Sequence, residues 1–116
     1  MSEMQTPEQF FATRPPVNAE LYTALMTALA PLGPVTVETK QTCLHLCHGA
    51  AFAGIHPRKD HLRLEVVTDY PLEHPRVVKT DKLSARRYHH AFKLAAPTDI
   101  DTELLGWLGD AYRLKG

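Results

Sequence analysis

The chain of 116 residues has the length of one ordinary domain, long enough to bury a core without disulfide or metal support. Its 13 Lys and Arg residues balance 13 Asp and Glu residues, so no net charge attracts nucleic acid or an anionic membrane. The first residues lack the features of a secretory signal, and no apolar stretch approaches the roughly 18 residues of a membrane span. We therefore expect one cytoplasmic domain over residues 1–116, with an N-terminal tail over 1–6.

Two helices are predicted before Gly33. The segment Thr6-Pro7-Glu8-Gln9 offers a capping hydroxyl, Pro at the first helical position and Gln three residues after the cap, which predicts a short helix ending near Thr13. Asn18 is a suitable cap for a second helix, which Gly33-Pro34 ends. The apolar stripe of this second helix consists of Leu21, Leu25, Ala28, Leu29 and Leu32.

Beyond residue 34 the apolar and polar residues alternate, which is typical of strands with one covered face. The predicted strands are 35–38, 43–47, 50–55, 61–68, an edge strand over 76–80, and 88–94. A turn through His56-Pro57-Arg58-Lys59 would join the third and fourth of these strands as an antiparallel hairpin.

A final helix is predicted after Thr98-Asp99-Ile100-Asp101, which places acidic groups at the positive helix end. Its apolar face consists of Leu104, Leu105, Leu108, Ala111 and Tyr112. The element order has no alternating strand and helix units. It therefore favours an α+β fold, in which two N-terminal helices and one C-terminal helix pack on an antiparallel sheet of five to six strands.

Six segments along the chain carry a resemblance to a known family: TPEQFF, LYTALMTAL, GPVTVETKQT, FAGIHPRKDHLRLEV, SARRYHHAFKL and DIDTELLGWLGDAY. From about Pro7 to Leu114 the chain resembles the bacterial domain-of-unknown-function family numbered 5655. HPRKDHLRL, RRYHH and the terminal helix are the most specific blocks, whereas the TCLHLCH strand departs from the plainer residues expected there. The resemblance implies a small intracellular α+β domain and brings no agreed chemistry.

A basic set of residues is the first candidate site: His56, Arg58, Lys59, His61, Arg63, Arg86, Arg87 and His89. Guanidinium groups bind phosphate or carboxylate with paired hydrogen bonds, and Lys adds a mobile charge. If the hairpin and the RRYHH segment lie on one side of the sheet, they form one pocket rim. The alternative is that these are solvated charges, some of them paired with acidic neighbours.

Metal binding is the second candidate, because four possible ligands lie close together in sequence: Cys43, His45, Cys47 and His48. Cys43 and Cys47 are about 13 Å apart along a strand, too far for a disulfide, so we expect reduced thiols. A closed metal site would need ligands from neighbouring strands, such as His61 or His89. The chain has no CxxC or HExxH motif, and we expect no metal or other cofactor.

Two enzyme classes are weighed as alternatives. Glu38-Thr39-Lys40 is an acid-x-Lys pattern of a metal-dependent nuclease, which would need Glu65 as its second carboxylate. The other is general acid–base or nucleophilic catalysis by a His such as His56 or His61 with Cys or Ser84, although no nucleophile elbow or papain-like Cys is present. A concave pocket with two titratable side chains within hydrogen-bond reach would favour an enzyme.

The sequence is therefore interpreted as a non-enzymatic binding module that uses its basic hairpin surface. The expected partner is an anionic small molecule, a nucleic-acid backbone or an acidic protein surface, and no membrane is involved. A metal-dependent hydrolase is the first alternative. A structural oligomerisation domain with an exposed apolar patch on its first helices is the second.

Overall fold

The computed structural model describes residues 6–115. The first helix of these residues is α1, Pro7–Ala12, whose capping box forms as expected. The Gln9 amide donates to the Thr6 hydroxyl over 3.2 Å, and the Gln9 side chain accepts from the Thr6 amide over 3.0 Å. Of the predicted tail over 1–6, only Thr6 lies within the described residues. Helix α2, Pro16–Leu29, follows, and a single 3-10 turn, Ala30–Leu32, extends it.

The predicted cap of α2 was wrong. The helix begins three residues earlier, because Pro15 occupies the capping position and Pro16 starts the first turn with a φ angle that suits a helix. Asn18 therefore lies inside the helix and is fully buried. Its side-chain amide donates to the backbone carbonyls of Arg58 and His61 over 3.1 and 3.0 Å, which ties α2 to a hairpin 40 residues away.

Six strands follow, and all neighbouring strands are antiparallel, in the order β1-β2-β3-β4-β6-β5. Their bounds are β1 Thr36–Thr39, β2 Leu44–His48, β3 Ala50–Pro57, β4 Leu62–Thr68, β5 Val77–Ser84 and β6 Arg87–Leu94. Helix α3, Thr102–Lys115, follows a second 3-10 turn, Pro97–Asp99. The predicted α+β fold with two N-terminal helices, an antiparallel sheet and a C-terminal helix is confirmed.

The β3–β4 hairpin is longer than predicted. Pro57 pairs with Leu62 as the last residue of β3 instead of occupying the turn. The turn runs from Arg58 to His61, where the Arg58 amide donates to the His61 carbonyl over 2.8 Å. Strand β5 also extends to Ser84, four residues beyond the predicted end of the edge strand.

One face of the sheet is covered by the helices. Alternate residues of β2, β3, β4 and β6 are fully buried against Leu21 and Leu25 of α2 and Leu104 and Leu108 of α3. Between Leu46 and Cys47 the β2–β3 register shifts, and Phe52 packs against the Tyr112 ring at 5.5 Å. The opposite side is called the open face, because no helix in residues 6–115 packs over it.

Helix α3 is fixed at both ends. Its cap is Asp101, whose carboxylate accepts from the Leu104 amide over 3.0 Å, a hydrogen bond that lowers the pKa of Asp101. At its C-terminal end the Lys115 carbonyl is 3.2 Å from where a Cβ atom of Gly49 would lie, so α3 closes against the β2–β3 turn. Within residues 6–115, no helix has both the length and the apolar composition to cross a membrane.

Candidate functional site

A groove of about 280 Å³ lies on the open face of the sheet. Residues from β2, β3, β4, the β5–β6 hairpin and the end of α3 line it. They are His45, Ala50, Ala51, Ala53, Gly54, His56, Glu65, Val67, Leu83, Arg87, His89 and Lys115. Strand pairing explains how they meet, since His45, Gly54 and Glu65 are successive cross-strand partners, as are Val67 and His89.

The floor of the groove is made by the small residues of β3. A Cβ atom at Gly54 would be 3.5 Å from His56 Nε2 and 4.0 Å from both Glu65 Oε1 and His45 Cδ2. Three polar side chains from three strands therefore converge above one glycine. The absence of a side chain at this position gives the groove its depth.

His56 and Glu65 form a polar pair at one end of the groove. His56 Nε2 is 3.2 Å from Glu65 Oε1, and Arg63 Nε is 3.6 Å from the other carboxylate oxygen of Glu65. All three side chains are partly buried, so solvent screens them less than it screens surface charges. A carboxylate that accepts from one ring nitrogen orients the imidazole and leaves the other nitrogen to act on a bound molecule.

Two cations meet at the other end of the groove. Burial, followed by the nearby positive charge of Arg87, lowers the pKa of Lys115 below its ordinary value. No Asp or Glu carboxylate within residues 6–115 forms a salt bridge with Arg87 or Lys115, although nine such pairs occur elsewhere in that range. Like charges held together in this way are stabilised by any anion that binds between them.

The two cysteines lie on or beside β2 without forming a disulfide. Burial raises the pKa of both thiols, and the Glu38 carboxylate raises that of Cys47 further. A thiol with a raised pKa is protonated at neutral pH and is a poor nucleophile. Neither residue lines the groove.

The eight residues of the predicted basic site do not form one rim. Leu62 pairs with Leu94 and Thr68 pairs with Tyr88, so the hairpin tip and the start of β6 lie at opposite ends of β4, about 20 Å apart. His56, Arg87 and His89 line the groove, and Arg63 lies beside it through its contact with Glu65. The others lie outside the groove: Arg58, Lys59 and His61 at the hairpin tip, and Arg86 in the β5–β6 turn.

The predicted metal ligands also lie apart from one another. His48 stacks on the Tyr112 ring at 3.6 Å on the helix-covered side, away from His45. His61 Nδ1 is 2.8 Å from the carboxylate of its neighbour Asp60. Among the residues from Thr6 to Lys115, no three His, Cys, Asp or Glu side chains are grouped so that they could hold a metal ion.

The two carboxylates of the nuclease alternative also lie far apart. Glu38 and Glu65 lie in one cross-strand row but with β2 and β3 between them, three strand spacings or about 14 Å. One divalent ion binds carboxylate oxygens at about 2 Å and cannot bridge that distance. Glu38 instead lies 3.6 Å from Lys40.

Several groove residues escaped the sequence prediction. Alternation along each strand places His45 and Glu65 on the same face as the predicted His89, but the strand order β2-β3-β4-β6 brings the three together, and no local pattern specifies that order. Gly54 could be noticed as a glycine inside a strand, which often marks a close approach of another group. No sequence pattern marks Lys115 as a groove residue, because its position depends on how α3 packs on the sheet.

Comparison with known proteins identifies a family. Residues 8–115 match the family model described as "Domain of unknown function (DUF5655)", which covers nearly the whole chain and confirms the resemblance seen in the sequence. No curated protein and no solved structure matches. The family description names no activity, so the chemistry has to be argued from the groove.

Proposed function

Because the chain belongs to the DUF5655 family, whose description assigns no activity, we propose from the groove itself that the protein is a non-enzymatic binding module for a small anionic molecule. The binding surface in this proposal is the open-face groove and not the hairpin tip. We also place the protein in the bacterial cytoplasm, a reducing compartment that suits its two unpaired cysteines.

The pair of cations at the groove end carries the proposal. Arg87 lies in β6 and Lys115 in α3, and both side chains line the groove. Their positive charges repel each other there. A phosphate or carboxylate group placed there would accept charge-assisted hydrogen bonds from both side chains. It would also offset the repulsion from Arg87, which adds to burial in lowering the pKa of Lys115.

The rest of the groove supports a ligand with an apolar body. Val67 and Leu83 provide apolar walls, while Ala51 and Gly54 leave room at the floor. The His56 and Glu65 pair at the far end supplies both a donor and an acceptor. A small molecule with an anionic group at one end and a hydrogen-bonding group at the other would match this distribution.

A nucleic-acid backbone is a weaker match than a small molecule. Phosphates along a strand need a continuous stripe of cations, whereas the hairpin tip and the Arg86-Arg87 segment are about 20 Å apart along β4. The acidic side chains of Glu65 and Asp81 also lie on or near the surface between them. The small anion is therefore favoured.

Titration with inorganic phosphate, followed by nuclear magnetic resonance of the backbone amides, tests the proposal. We expect shifts concentrated at the groove, in Arg87, His89 and Lys115, and little change at Arg58 and Lys59. Sodium chloride at matched ionic strength is the control for non-specific screening. Equal shifts at both ends of β4, or none beyond those of chloride, would contradict the proposal.

Acid–base catalysis remains a second candidate because one observation favours it. His56 and Glu65 are titratable groups within hydrogen-bond reach of each other in a concave site. Assay of purified protein on phosphate and carboxylate esters, alongside His56→Gln, would decide between the candidates. Turnover that disappears in the variant would establish an enzyme, whereas unchanged background rates support binding alone.

A further inference from the structure

Strand β5 is an uncovered sheet edge. Among residues 6–115 it pairs with β6 on one side only, and every residue from Val78 to Ser84 is exposed. Val78 and Leu83 are 60% and 56% exposed, the highest values among the large apolar residues of the described chain. A long edge with unpaired backbone groups and exposed apolar side chains is a ready template for another strand.

The sequence of this edge is complementary to itself. Lys79 and Asp81 lie on the same face of the strand, 3.8 Å apart, with Thr80 between them. In an antiparallel pair centred on Thr80, Lys79 lies opposite the partner's Asp81, and Asp81 lies opposite the partner's Lys79. Directly opposed residues point to the same face, so both pairs bring unlike charges together.

We propose that β5 is the interface between two copies of this chain, which pair through antiparallel β5 strands centred on Thr80. The two sheets then form one continuous sheet around a twofold axis, with both open faces on the same side. Thr80 lies opposite the partner's Thr80. Val78 and Leu83, at the two ends of the paired segment, lose solvent contact.

The irregularities and charges of β5 favour one register of this pairing. The β5–β6 register shifts between Val77 and Lys79 and again between Lys82 and Ser84, so only the four residues from Lys79 to Lys82 form a regular ladder. A shift of one residue towards Lys82 would place Lys79 opposite the partner's Lys82, and a shift of two in either direction would oppose Asp81 to the partner's Asp81 or Lys79 to the partner's Lys79. A shift of one residue in the other direction would place Lys79 opposite the partner's Thr80 and Asp81 opposite the partner's Val78, so both ion pairs would be lost. These costs favour a closed dimer over continued strand addition.

Charge reversal at two positions tests the register. Lys79→Asp places carboxylates opposite each other twice across the interface, and Asp81→Lys does the same with ammonium groups. Each single variant should dimerise at least about tenfold more weakly than the unchanged chain. An equimolar mixture of the two variants should recover association, because each chain then meets the opposite charge on its partner.

Sedimentation equilibrium over a wide concentration range measures these affinities. Lys93→Asp is the matched control, since it makes the same change in charge on β6, away from the edge. Both reversed positions are exposed, and a thermal scan of each variant shows whether it folds. Amide hydrogen exchange in β5 should slow as the concentration of the unchanged chain rises.

The proposal is overturned if the unchanged chain stays monomeric at the highest soluble concentration. It is equally overturned if the chain dimerises but both single reversals associate as well as the Lys93→Asp control. Failure of the mixture to recover association would exclude the register centred on Thr80. None of these outcomes depends on whether the groove binds an anion.

Discussion

The Tyr112 hydroxyl lies 2.6 Å from the position that a Cβ atom on Gly33 would occupy. Gly33 also has a φ of 131°, a backbone conformation that residues with a Cβ atom rarely adopt. The hydroxyl is held in place because it donates to the Pro34 carbonyl over 2.9 Å. The Gly33-Pro34 segment between α2 and β1 therefore packs closely against Tyr112 of α3. The same helix carries the groove residue Lys115.

Gly33→Ala should therefore destabilise the fold by about 1–3 kcal/mol through backbone strain and the clash with Tyr112. Gly106→Ala is the matched control, because nothing lies within 4 Å of a Cβ atom there and the position is exposed in α3. The control should gain about 0.5–1 kcal/mol from the better helix propensity of Ala. Urea unfolding measures both, and equal effects of the two substitutions would contradict the strain at Gly33.

Asn18 should be essential for the order of the β3–β4 hairpin tip. Its amide donates to two backbone carbonyls, and its Oδ1 atom is buried without a partner within residues 6–115. Asn18→Asp replaces the donor with a carboxylate that faces the same carbonyls, so it should destabilise the fold more than Asn18→Ala, which we expect to lose about 1–3 kcal/mol. Urea unfolding ranks the variants, and an equal loss in both would remove the electrostatic explanation.

His90 should make stability depend on pH. It is fully buried; Nε2 lies 3.0 Å from the Thr68 hydroxyl and Nδ1 lies 3.1 Å from the Thr80 hydroxyl. Burial lowers the pKa of His90, so the unfolded chain, with a pKa of about 6.5, takes up a proton before the folded chain does. The contribution of neutral His90 to the free energy of unfolding is fully present above that value. It is lost as the pH falls from about 6.5 towards the pKa of His90 in the folded chain.

Denaturant unfolding between about pH 7 and pH 5 measures this dependence. His90→Gln should be less stable at pH 7 by about 1–3 kcal/mol because it loses hydrogen bonds, yet its stability should change less across the same interval. The hydrogen-bonded carboxylates of Asp60 and Asp101 have lowered pKa values and titrate below that window. A pH dependence in the variant as steep as that of the unchanged chain would assign the effect to other groups.

Filling the groove floor should reduce the binding of a ligand with an apolar body. We expect phenyl phosphate to bind about tenfold more tightly than inorganic phosphate, because its ring can be buried between Val67 and Leu83. Gly54→Val should abolish most of that difference, since its methyl groups enter the space below His56 and Glu65. Gly54→Ala, whose Cβ atom makes only ordinary contacts there, should have a smaller effect. Calorimetric titration measures each affinity, and an unchanged ratio in Gly54→Val would place the ring elsewhere.

The sequence predicts which helices and strands form more accurately than it predicts the residues at which they begin and end. Periodicity identifies three helices and six strands because burial of one face dictates apolar spacing. Asn18 has the residue type of a helix cap, but its actual partners, two carbonyls of the hairpin tip, become neighbours only in the folded chain. Local preference predicts Pro57 in the turn, whereas the pairing with Leu62 continues the strand through it.

The candidate site was only partly predictable for the same reason. His56, Arg87 and His89 were identified by residue type, and strand parity alone could have added His45 and Glu65. The division of the basic residues into two ends follows from the register of β4 with β6, which joins segments some 20 residues apart. The meeting of Lys115 with Arg87 depends on the docking of α3, which no local pattern encodes.

The affinity for inorganic phosphate of the unchanged chain and three variants, measured by isothermal titration calorimetry, tests the central claim most directly. Arg87→Gln and Lys115→Gln should each weaken binding by about tenfold to a hundredfold, the effect of losing one charge-assisted hydrogen bond. Arg58→Gln removes the same charge at the hairpin tip and should leave the affinity unchanged. If all four proteins bind phosphate equally, or if only Arg58→Gln binds it more weakly, the groove is not the anion site.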